Sequence, residues 1–202
     1  MSPDAAPIGP SMARQSSLRH RCNPAATIDV YPVPVPAALF PEARLQRRNI
    51  TRFVADGHLG KLTRDLRLLG IDVLYTPLAS DAELVACSAA EARALLTRDR
   101  RLLMHAAVRD GYYPRSQFAE EQTREVVQRF ELRAQLAPFT GCLHCNGLLA
   151  AVAKEEVFDA LEPLTKIYYE TFRRCQNCDR IYWSGSHFDK LRARIERLVA
   201  EP

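Results

Sequence analysis

Residues 50–76 read ITRFVADGHLGKLTRDLRLLGIDVLYT and contain two different apolar patterns. The stretch from Ile50 to Ala55 predicts a short buried strand, and Asp56-Gly57 supplies a turn after it. Leucines then recur at helical spacing, at Leu59, Leu62, Leu66 and Leu69. Gly70 stands where a helix C-cap is expected, and residues 71–76 predict a second strand. The stretch therefore predicts a strand, a helix and a strand in succession.

The alternation of strands and helices continues beyond this stretch. Ser80 and Glu83 have the spacing of a capping box, so a helix is expected to begin at Ser80. The further predicted elements are a strand at 93–97, a helix at 100–108, a short strand around Tyr112 and Tyr113, and a long helix at about 117–135. Strands that alternate with helices of this length predict an α/β fold with a parallel sheet covered by helices on both faces.

Composition changes twice along the chain and predicts three segments. Residues 1–49 contain eight of the 13 prolines and an excess of arginine, and are expected to form a mostly disordered basic arm. Residues 50–138 carry the alternating strands and helices. Residues 139–202 contain paired cysteines, short apolar runs and a final helix at 188–200. We therefore expect a boundary between two folded domains near Phe139.

The overall charge and hydropathy exclude some classes of protein. The 28 basic and 24 acidic residues give a formal net charge of +4, too small by itself to indicate a nucleic-acid partner. No apolar run approaches the ~20 residues of a membrane-spanning helix. The sequence also lacks the charged start, apolar stretch and small-residue cleavage site of a secretory signal, so a cytoplasmic location is expected.

Two C-x-x-C pairs occur in the last third of the chain, Cys142 with Cys145 and Cys175 with Cys178. Each pair can form a tight knuckle whose backbone N–H groups face two thiolates, and two knuckles complete a tetrahedral zinc site. A thioredoxin-like redox site would use one pair and leave the other unexplained. A disulfide framework requires an oxidising compartment that the sequence does not indicate. The pairs therefore predict a structural zinc, because four thiolates leave no open coordination position.

Three aspartates fall beside predicted strand and helix ends. Asp56 follows the first strand, Asp81 opens the second helix and Asp99 follows the third strand. The carboxyl ends of parallel strands meet in one crevice, and clustered carboxylates there are usually neutralised by Mg²⁺ or Mn²⁺, which can activate water at a phosphodiester. Each residue also has an ordinary structural explanation: a turn for Asp56, the positive helix end for Asp81 and a helix cap for Asp99. Spacing alone leaves both explanations open.

Five motifs occur in one arrangement: FVADGHLGKLTRDLRLLG (53–70), SDAELVACSAAEARALLTRDRRLL (80–103), EEQTREV (120–126), GCLHCNGLL (141–149) and CQNCDRIYWSGSH (175–187). Together they resemble the Mut-seven C-terminal RNase family, in which a PIN-like nuclease domain precedes a zinc ribbon. The resemblance covers about residues 50–192. It implies a parallel sheet flanked by helices, followed by a small four-cysteine ribbon with a C-terminal helix. It also implies a divalent-metal ribonuclease that hydrolyses RNA phosphodiester bonds, with Asp56, Asp81 and Asp99 as catalytic metal ligands.

Basic and aromatic residues accompany the predicted site, and we expect some of them to contact RNA. The candidates are Lys61, Arg64, Arg98, Arg174 and His187. Cations neutralise phosphates, and aromatic side chains stack on unpaired bases. The ordinary alternative is that the arginines solvate helix surfaces and that Trp183 packs in the ribbon core. His187 has three open roles, which are docking the ribbon, contacting RNA and transferring protons.

The sequence departs from the family pattern in two places. PIN nucleases commonly have a fourth acidic residue shortly after the third, but Arg100 and Arg101 follow Asp99 here. Residues that could fill the role are Asp110, Glu120 and Glu121. Asp65 stands where relatives often have a large aromatic residue.

Two other functions stay open at this point. The unfilled fourth acidic position and the basic arm favour a catalytically degenerate RNA- or ribosome-binding module. The toxin of a toxin–antitoxin pair would share the nuclease chemistry and would differ in having a neutralising antitoxin partner.

Overall fold

The computed structural model describes residues 49–185 and 187–200. The predicted N-terminal arm lies outside these residues, except for Asn49. The strands and helices follow in the order β1 (Arg52–Ala55), α1 (Gly60–Leu68), β2 (Asp72–Tyr75), α2 (Asp81–Glu91), β3 (Ala94–Leu96), α3 (Arg100–Leu103), β4 (Gly111–Tyr112), α4 (Ala119–Arg129), β5 (Leu149–Val152), α5 (Lys154–Val157), α6 (Pro163–Tyr168), β6 (Phe172–Cys175), β7 (Ile181–Trp183) and α7 (Phe188–Val199). Throughout the described residues, every helix is too short or too polar to span a bilayer.

The first four strands form one parallel sheet in the order β2-β1-β3-β4. Successive residues of β1 point to opposite faces of this sheet. Phe53 packs in a cluster with residues of α1 and α4, whereas Val54 packs in a second cluster with residues of α2 and α3. Both side chains are buried. The predicted α/β class, a parallel sheet flanked by helices, is confirmed.

The end of α1 and the start of α2 follow local sequence signals. The Ser80 hydroxyl accepts the Glu83 N–H (3.4 Å) and the Glu83 carboxylate accepts the Ser80 N–H (2.7 Å), so the capping box is present. Gly70 has φ 83°, a left-handed conformation that glycine adopts without strain. A Cβ at this position would lie 2.1 Å from the Ala137 carbonyl oxygen, so only glycine fits.

The helix predicted at 100–108 is shorter than expected, because α3 ends at Leu103. Beyond it, His105 holds the chain in a turn: its Nδ1 accepts the Ala107 N–H (3.2 Å) and its carbonyl accepts the Val108 N–H (2.9 Å). A side chain that captures a neighbouring backbone N–H competes with the helical hydrogen bonds, which explains the early end.

The helix predicted at 117–135 is also too long, because α4 ends at Arg129. Glu131 adopts a left-handed conformation with φ 55°, and a 3₁₀ turn at Leu132–Gln135 follows it. This change of direction buries Leu132, which is 1% exposed, in the same cluster as Phe53. Burial of an apolar side chain therefore outweighs continuation of the helix.

The C-terminal part contains a second, antiparallel sheet in the order β5-β6-β7. Phe172 of β6 is buried and packs with Val157 and Leu161 in a small cluster of its own. The short helices α5 and α6 lie between β5 and β6 along the chain, and they are not predicted from the sequence because neither is long enough to show a helical period. The expected order of a ribbon followed by a C-terminal helix is confirmed.

The last helix, α7, returns to the first sheet. Ile195 and Leu198 belong to the same buried cluster as the apolar residues of α1 and α4. Arg194 donates two hydrogen bonds to the Asp65 carboxylate, at 2.7 and 2.6 Å, and the Asp65 side chain is only 5% exposed. This ion pair explains an aspartate at a position where the family resemblance leads one to expect an aromatic side chain.

Asp65→Ala is expected to lower the free energy of unfolding by about 2 kcal/mol, because the Arg194 guanidinium would lose its closest partner. This loss of unfolding free energy lies between the values typical of exposed and of fully buried ion pairs, because the Arg194 side chain is 31% exposed. Tm measured by calorimetry should fall by roughly 4–8 °C for a chain of this size. Arg192→Ala, which removes an exposed cation from the same helix, is the control, and an equal fall in Tm for both variants would contradict the role of the pair.

Candidate functional site

The strand order creates a crevice at the carboxyl edge of the parallel sheet. The chain passes from β1 to β2 on one side of β1 and then crosses to β3 on the other side. The direction in which strands are added to the sheet therefore changes between β1 and β3, which is the topological switch point. Asp56 directly follows β1, and Asp99 directly precedes α3 after β3. These two predicted site residues therefore flank the position at which open α/β sheets bind their ligands.

A threonine connects the two aspartates. The Thr97 hydroxyl donates to Asp56 Oδ2 (2.6 Å) and accepts the Asp99 N–H (2.9 Å). Thr97 is completely buried, so this bridge lies beneath the edge of the sheet. Thr97 is not among the site residues predicted from the sequence, although a polar residue that ends an apolar strand two positions before an aspartate is a recognisable signal.

Further hydrogen bonds hold both carboxylates in place. Asp99 Oδ1 accepts the N–H groups of Arg101 (2.7 Å) and Leu102 (3.3 Å), so Asp99 is the N-cap of α3. Asp56 Oδ1 accepts the His58 N–H (3.4 Å). The capping explanation for Asp99 is therefore correct. The cap uses Oδ1 and so fixes the direction of the second carboxylate oxygen, Oδ2, of this exposed side chain.

Asp81 is the first residue of α2 and is exposed. Because α2 follows β2, its N-terminus lies at the same edge of the sheet as Asp56 and Asp99. Within the described part of the chain, four cysteines form the one group of three or more His, Cys, Asp or Glu side chains whose ligand atoms lie within 4.8 Å of one another. The structure thus links Asp56 to Asp99 through Thr97 and places Asp81 at the same edge of the sheet.

The acidic residues considered for a fourth ligand occupy other positions. Asp110 precedes β4, which runs parallel to β1 and β3, so it lies at the end opposite to Asp56 and Asp99. Glu120 pairs with Arg194 and Arg197 of α7, and Glu121 accepts the Ser116 hydroxyl. Asp110 therefore lies at the wrong end of the sheet for a fourth ligand, and the carboxylates of Glu120 and Glu121 each have another side chain as a partner.

The turn that carries Asp56 is fixed by the last residue of β2 and by the segment that follows it. The Tyr75 hydroxyl donates to the Gly57 carbonyl (2.9 Å). A Cβ on Gly57 would lie 2.4 Å from the Pro77 carbonyl oxygen. The turn after β1 therefore approaches the loop after β2 so closely that only glycine fits at position 57. The position of Asp56 thus depends on β2 as well as on β1.

Basic side chains surround the same edge. The guanidinium groups of Arg98 and Arg100 lie 5.8 and 5.5 Å from the centre of the Tyr113 ring, within the range of cation–π attraction. Lys61 and Arg64 are exposed on the first turns of α1. The other two predicted RNA contacts lie in the C-terminal part, Arg174 on β6 and His187 immediately before α7.

The four cysteines of the two C-x-x-C pairs come together as predicted. The sulfur atoms of Cys142 and Cys178 are 3.7 Å apart, those of Cys145 and Cys175 are 3.3 Å apart, and all four lie within 4.8 Å of one another. Backbone N–H groups of Gly147 and Asn177 donate to the sulfurs of Cys145 and Cys175, both at 3.4 Å. Two such knuckles form a cluster that can bind a metal such as zinc.

The environment of the cysteines fits thiolates that share a cation. Burial alone would raise the pKa of Cys142, but hydrogen bonds from the Tyr182 hydroxyl and from backbone N–H groups outweigh it and lower the pKa to about 6. Burial and the neighbouring thiols raise the pKa of Cys145 to about 12. Four thiolates this close repel one another unless a cation such as zinc binds them.

The first cysteine knuckle contacts the outer edge of the parallel sheet. Asn146 Oδ1 accepts the N–H of Val73 in β2 (2.9 Å), and Asn146 Nδ2 donates to Asp72 (2.6 Å). The buried Arg67 guanidinium donates to the Val73 carbonyl (2.8 and 3.0 Å) and to the His144 carbonyl (2.7 Å). The knuckle and α1 therefore satisfy backbone groups that an edge strand would otherwise expose.

A family model described as Mut7-C RNAse domain matches residues 51–195, which contain both sheets, the three aspartates and the four cysteines. The chain belongs to the Mut7-C RNAse domain family. Membership assigns this Mut7-C domain a ribonuclease-type function with RNA as its substrate. Comparison with curated proteins and with solved structures gives no significant match.

The Mut7-C domain is expected to contain one zinc per chain, and Cys175→Ser is expected to abolish zinc binding. Loss of the knuckle would weaken the contacts of Asn146 and Arg67 with β2, at a cost of about 3 kcal/mol and a fall in Tm of roughly 6–12 °C. Metal analysis of the purified protein and calorimetry measure the two effects.

Cys87→Ser is the matched control, because Cys87 lies on α2, outside the four-cysteine cluster. This variant should keep one zinc and the Tm of the parent chain. Full zinc content in the Cys175→Ser variant would contradict the four-cysteine site.

Proposed function

We propose that this chain is a divalent-metal-dependent ribonuclease in which Asp56, Asp81 and Asp99 hold Mg²⁺ or Mn²⁺. The Thr97 hydroxyl, which links Asp56 to Asp99 at the switch point of the sheet, is the observation that carries the proposal. Family membership supports RNA as the substrate. A bound Mg²⁺ or Mn²⁺ would activate a water and stabilise the leaving oxygen of the phosphodiester.

The donor groups fit a hard divalent cation. Carboxylate oxygens are the ligands that Mg²⁺ and Mn²⁺ prefer, and these ions usually retain several waters. Asp81 and Asp99 are exposed and Asp56 is partly exposed, so all three can reach a hydrated ion at the edge. A site with three carboxylates would take its remaining ligands from water and from the substrate phosphate.

The surrounding side chains would orient the acids and the RNA. Thr97 keeps Asp56 Oδ2 in one position through a short hydrogen bond. Arg98 and Arg100, held against Tyr113, would bind phosphates next to the scissile bond. Lys61 and Arg64 extend this basic surface along α1.

The ribbon is proposed to aid RNA binding. Arg174 and His187 are exposed and would contribute contacts distant from the aspartates. The domain boundary near Phe139 and the cytoplasmic location stay predictions.

A catalytically degenerate RNA-binding module is the second candidate. It is favoured because the carboxylate oxygens of Asp56, Asp81 and Asp99 do not all lie within 4.8 Å of one another. Asp110 lies at the opposite end of the sheet, and Glu120 is already paired with arginines of α7. Such a module would bind RNA with a steep salt dependence and would not cleave it in Mn²⁺.

Asp99→Asn is expected to reduce metal-dependent RNA cleavage at least 100-fold, because a neutral amide cannot replace a carboxylate ligand of a divalent cation. Asparagine is as good an N-cap as aspartate, so α3 and the zinc content should be unchanged. The measurement compares cleavage of single-stranded RNA in Mn²⁺ by both proteins, with Tm and bound zinc recorded for each.

The matched control is Asp159→Asn, which neutralises an exposed aspartate in the ribbon. Cleavage by this variant should equal that of the parent chain. Unchanged cleavage by the Asp99→Asn protein would exclude Asp99 from the active site, and absence of cleavage by the parent chain would favour the degenerate module.

Thr97→Val is expected to lower the cleavage rate about tenfold, because it keeps the buried volume and removes the hydroxyl that orients Asp56. Thr97→Ser retains a hydroxyl and should recover most of the activity. Rates at saturating RNA separate this effect from RNA affinity. Equal rates for the Val and Ser variants would show that the hydroxyl has no part in positioning Asp56.

A further inference from the structure

A cavity of about 820 Å³ lies among the ribbon, α6 and α7, away from the aspartates. Its volume is in the range of sites that bind small molecules and cofactors. Aromatic residues from four parts of the chain line it: Phe139, Tyr168, Tyr169, Tyr182, Trp183 and Phe188. The Tyr182 hydroxyl contacts Cys142 of the cysteine cluster (3.0 Å), but neither that cluster nor the aspartates explain the other five rings.

Four of these rings form two pairs, and two of the rings, those of Tyr168 and Trp183, belong to exposed residues. Phe139 and Phe188 stack with ring centroids 4.7 Å apart and planes inclined by 28°. Tyr169 and Trp183 are 6.5 Å apart and tilted by 45°. Tyr168 is 71% exposed, so a flat group of a ligand can reach its ring from solvent.

The loop after β7 forms one wall of the cavity. A Cβ on Gly185 would lie 2.8 Å from Trp183 Nε1 and 3.6 Å from the Tyr169 hydroxyl, so glycine is required for the backbone to pack against the indole. Trp183, Ser184 and Gly185 all line the cavity, and they belong to the motif CQNCDRIYWSGSH. The nuclease site does not use this part of the motif.

The charge of the lining favours an anionic ligand. Arg173 and His187 are among the lining residues, and aspartate and glutamate are absent from them in the described part of the chain. Arg173 Nη1 donates to the Phe139 carbonyl (3.1 Å), which fixes the guanidinium at the cavity wall. Flat apolar faces beside a fixed cation match an unpaired base and its phosphate.

We propose that the cavity binds one unpaired base of single-stranded RNA, stacked on Trp183 and Tyr168, with its phosphate near Arg173 and His187. The inference rests on the proposed function, because it assumes that RNA is the substrate. It adds a second point of attachment, so RNA would be held at the ribbon while a different phosphodiester lies at the aspartates.

Trp183 is the only tryptophan in the sequence, so its fluorescence reports this cavity directly. The test uses the full, zinc-loaded chain carrying Asp99→Asn, in buffer without Mn²⁺, titrated with an eight-nucleotide single-stranded RNA. An abasic oligomer with the same number of phosphates is the matched probe. Base stacking should quench the fluorescence with the intact RNA and leave it unchanged with the abasic oligomer.

Tyr168→Ala in the same background should weaken RNA binding about tenfold, the usual effect of removing one stacking ring. Phe158→Ala removes a partly exposed ring that is not among the lining residues and should leave the affinity unchanged. Both rings reach solvent, so neither change should unfold the chain, and Tm verifies this.

Quenching by the abasic oligomer equal to that by RNA would overturn the proposal, because the cavity would then recognise something other than a base. RNA binding without quenching, or equal affinity of the Tyr168→Ala and Phe158→Ala proteins, would overturn it as well. Cleavage of RNA in Mn²⁺ by the parent chain tests the proposed function separately. Cleavage without quenching would therefore reject the base site and leave the nuclease proposal standing.

Discussion

The backbone of Val73 joins the parallel sheet to the first cysteine knuckle. Because β2 is an edge strand, one side of its backbone has no neighbouring strand to pair with. The Val73 N–H donates to Asn146 instead, and the Val73 carbonyl accepts hydrogen bonds from Arg67. Arg67 is buried and also holds the carbonyl of His144 in the first knuckle. The carboxylate of Asp72 is part of the same contact: burial alone would raise its pKa, but hydrogen bonds from Arg93, Asn146 and Arg52 hold it below its usual range. The register of the sheet and the geometry of the cysteine cluster are therefore coupled.

At the carboxyl ends of β1 and β3, ordinary structural bonds and the proposed chemistry use the same atoms. Asp99 caps α3, and its N–H is held by Thr97, whose hydroxyl also orients Asp56. A capping role is therefore not an alternative to metal binding, because the cap determines where the free carboxylate oxygen points. Preorganised ligands need such supporting bonds, since a loosely held carboxylate would lose affinity for the ion.

Local signals in the sequence predict a large part of this fold. The capping box at Ser80, the glycine stop at Gly70 and the spacing of the cysteine pairs act over a few residues, and each is found in the structure. What the sequence does not reveal are polar contacts between distant residues, such as Arg194 with Asp65 and Asn146 with Val73, which leave no periodic pattern. The left-handed Glu131 escapes prediction for a related reason, since only tertiary burial of Leu132 makes it favourable.

The return of α7 to the first sheet has a consequence for synthesis. Ile195 and Leu198 complete the apolar cluster formed by α1 and α4, so that cluster stays open while the intervening ribbon is being translated. Domains usually fold as units from the N-terminus as they emerge from the ribosome, but this core closes only when α7 has emerged. The full stability of the parallel-sheet core therefore depends on a helix that is synthesised after the whole ribbon.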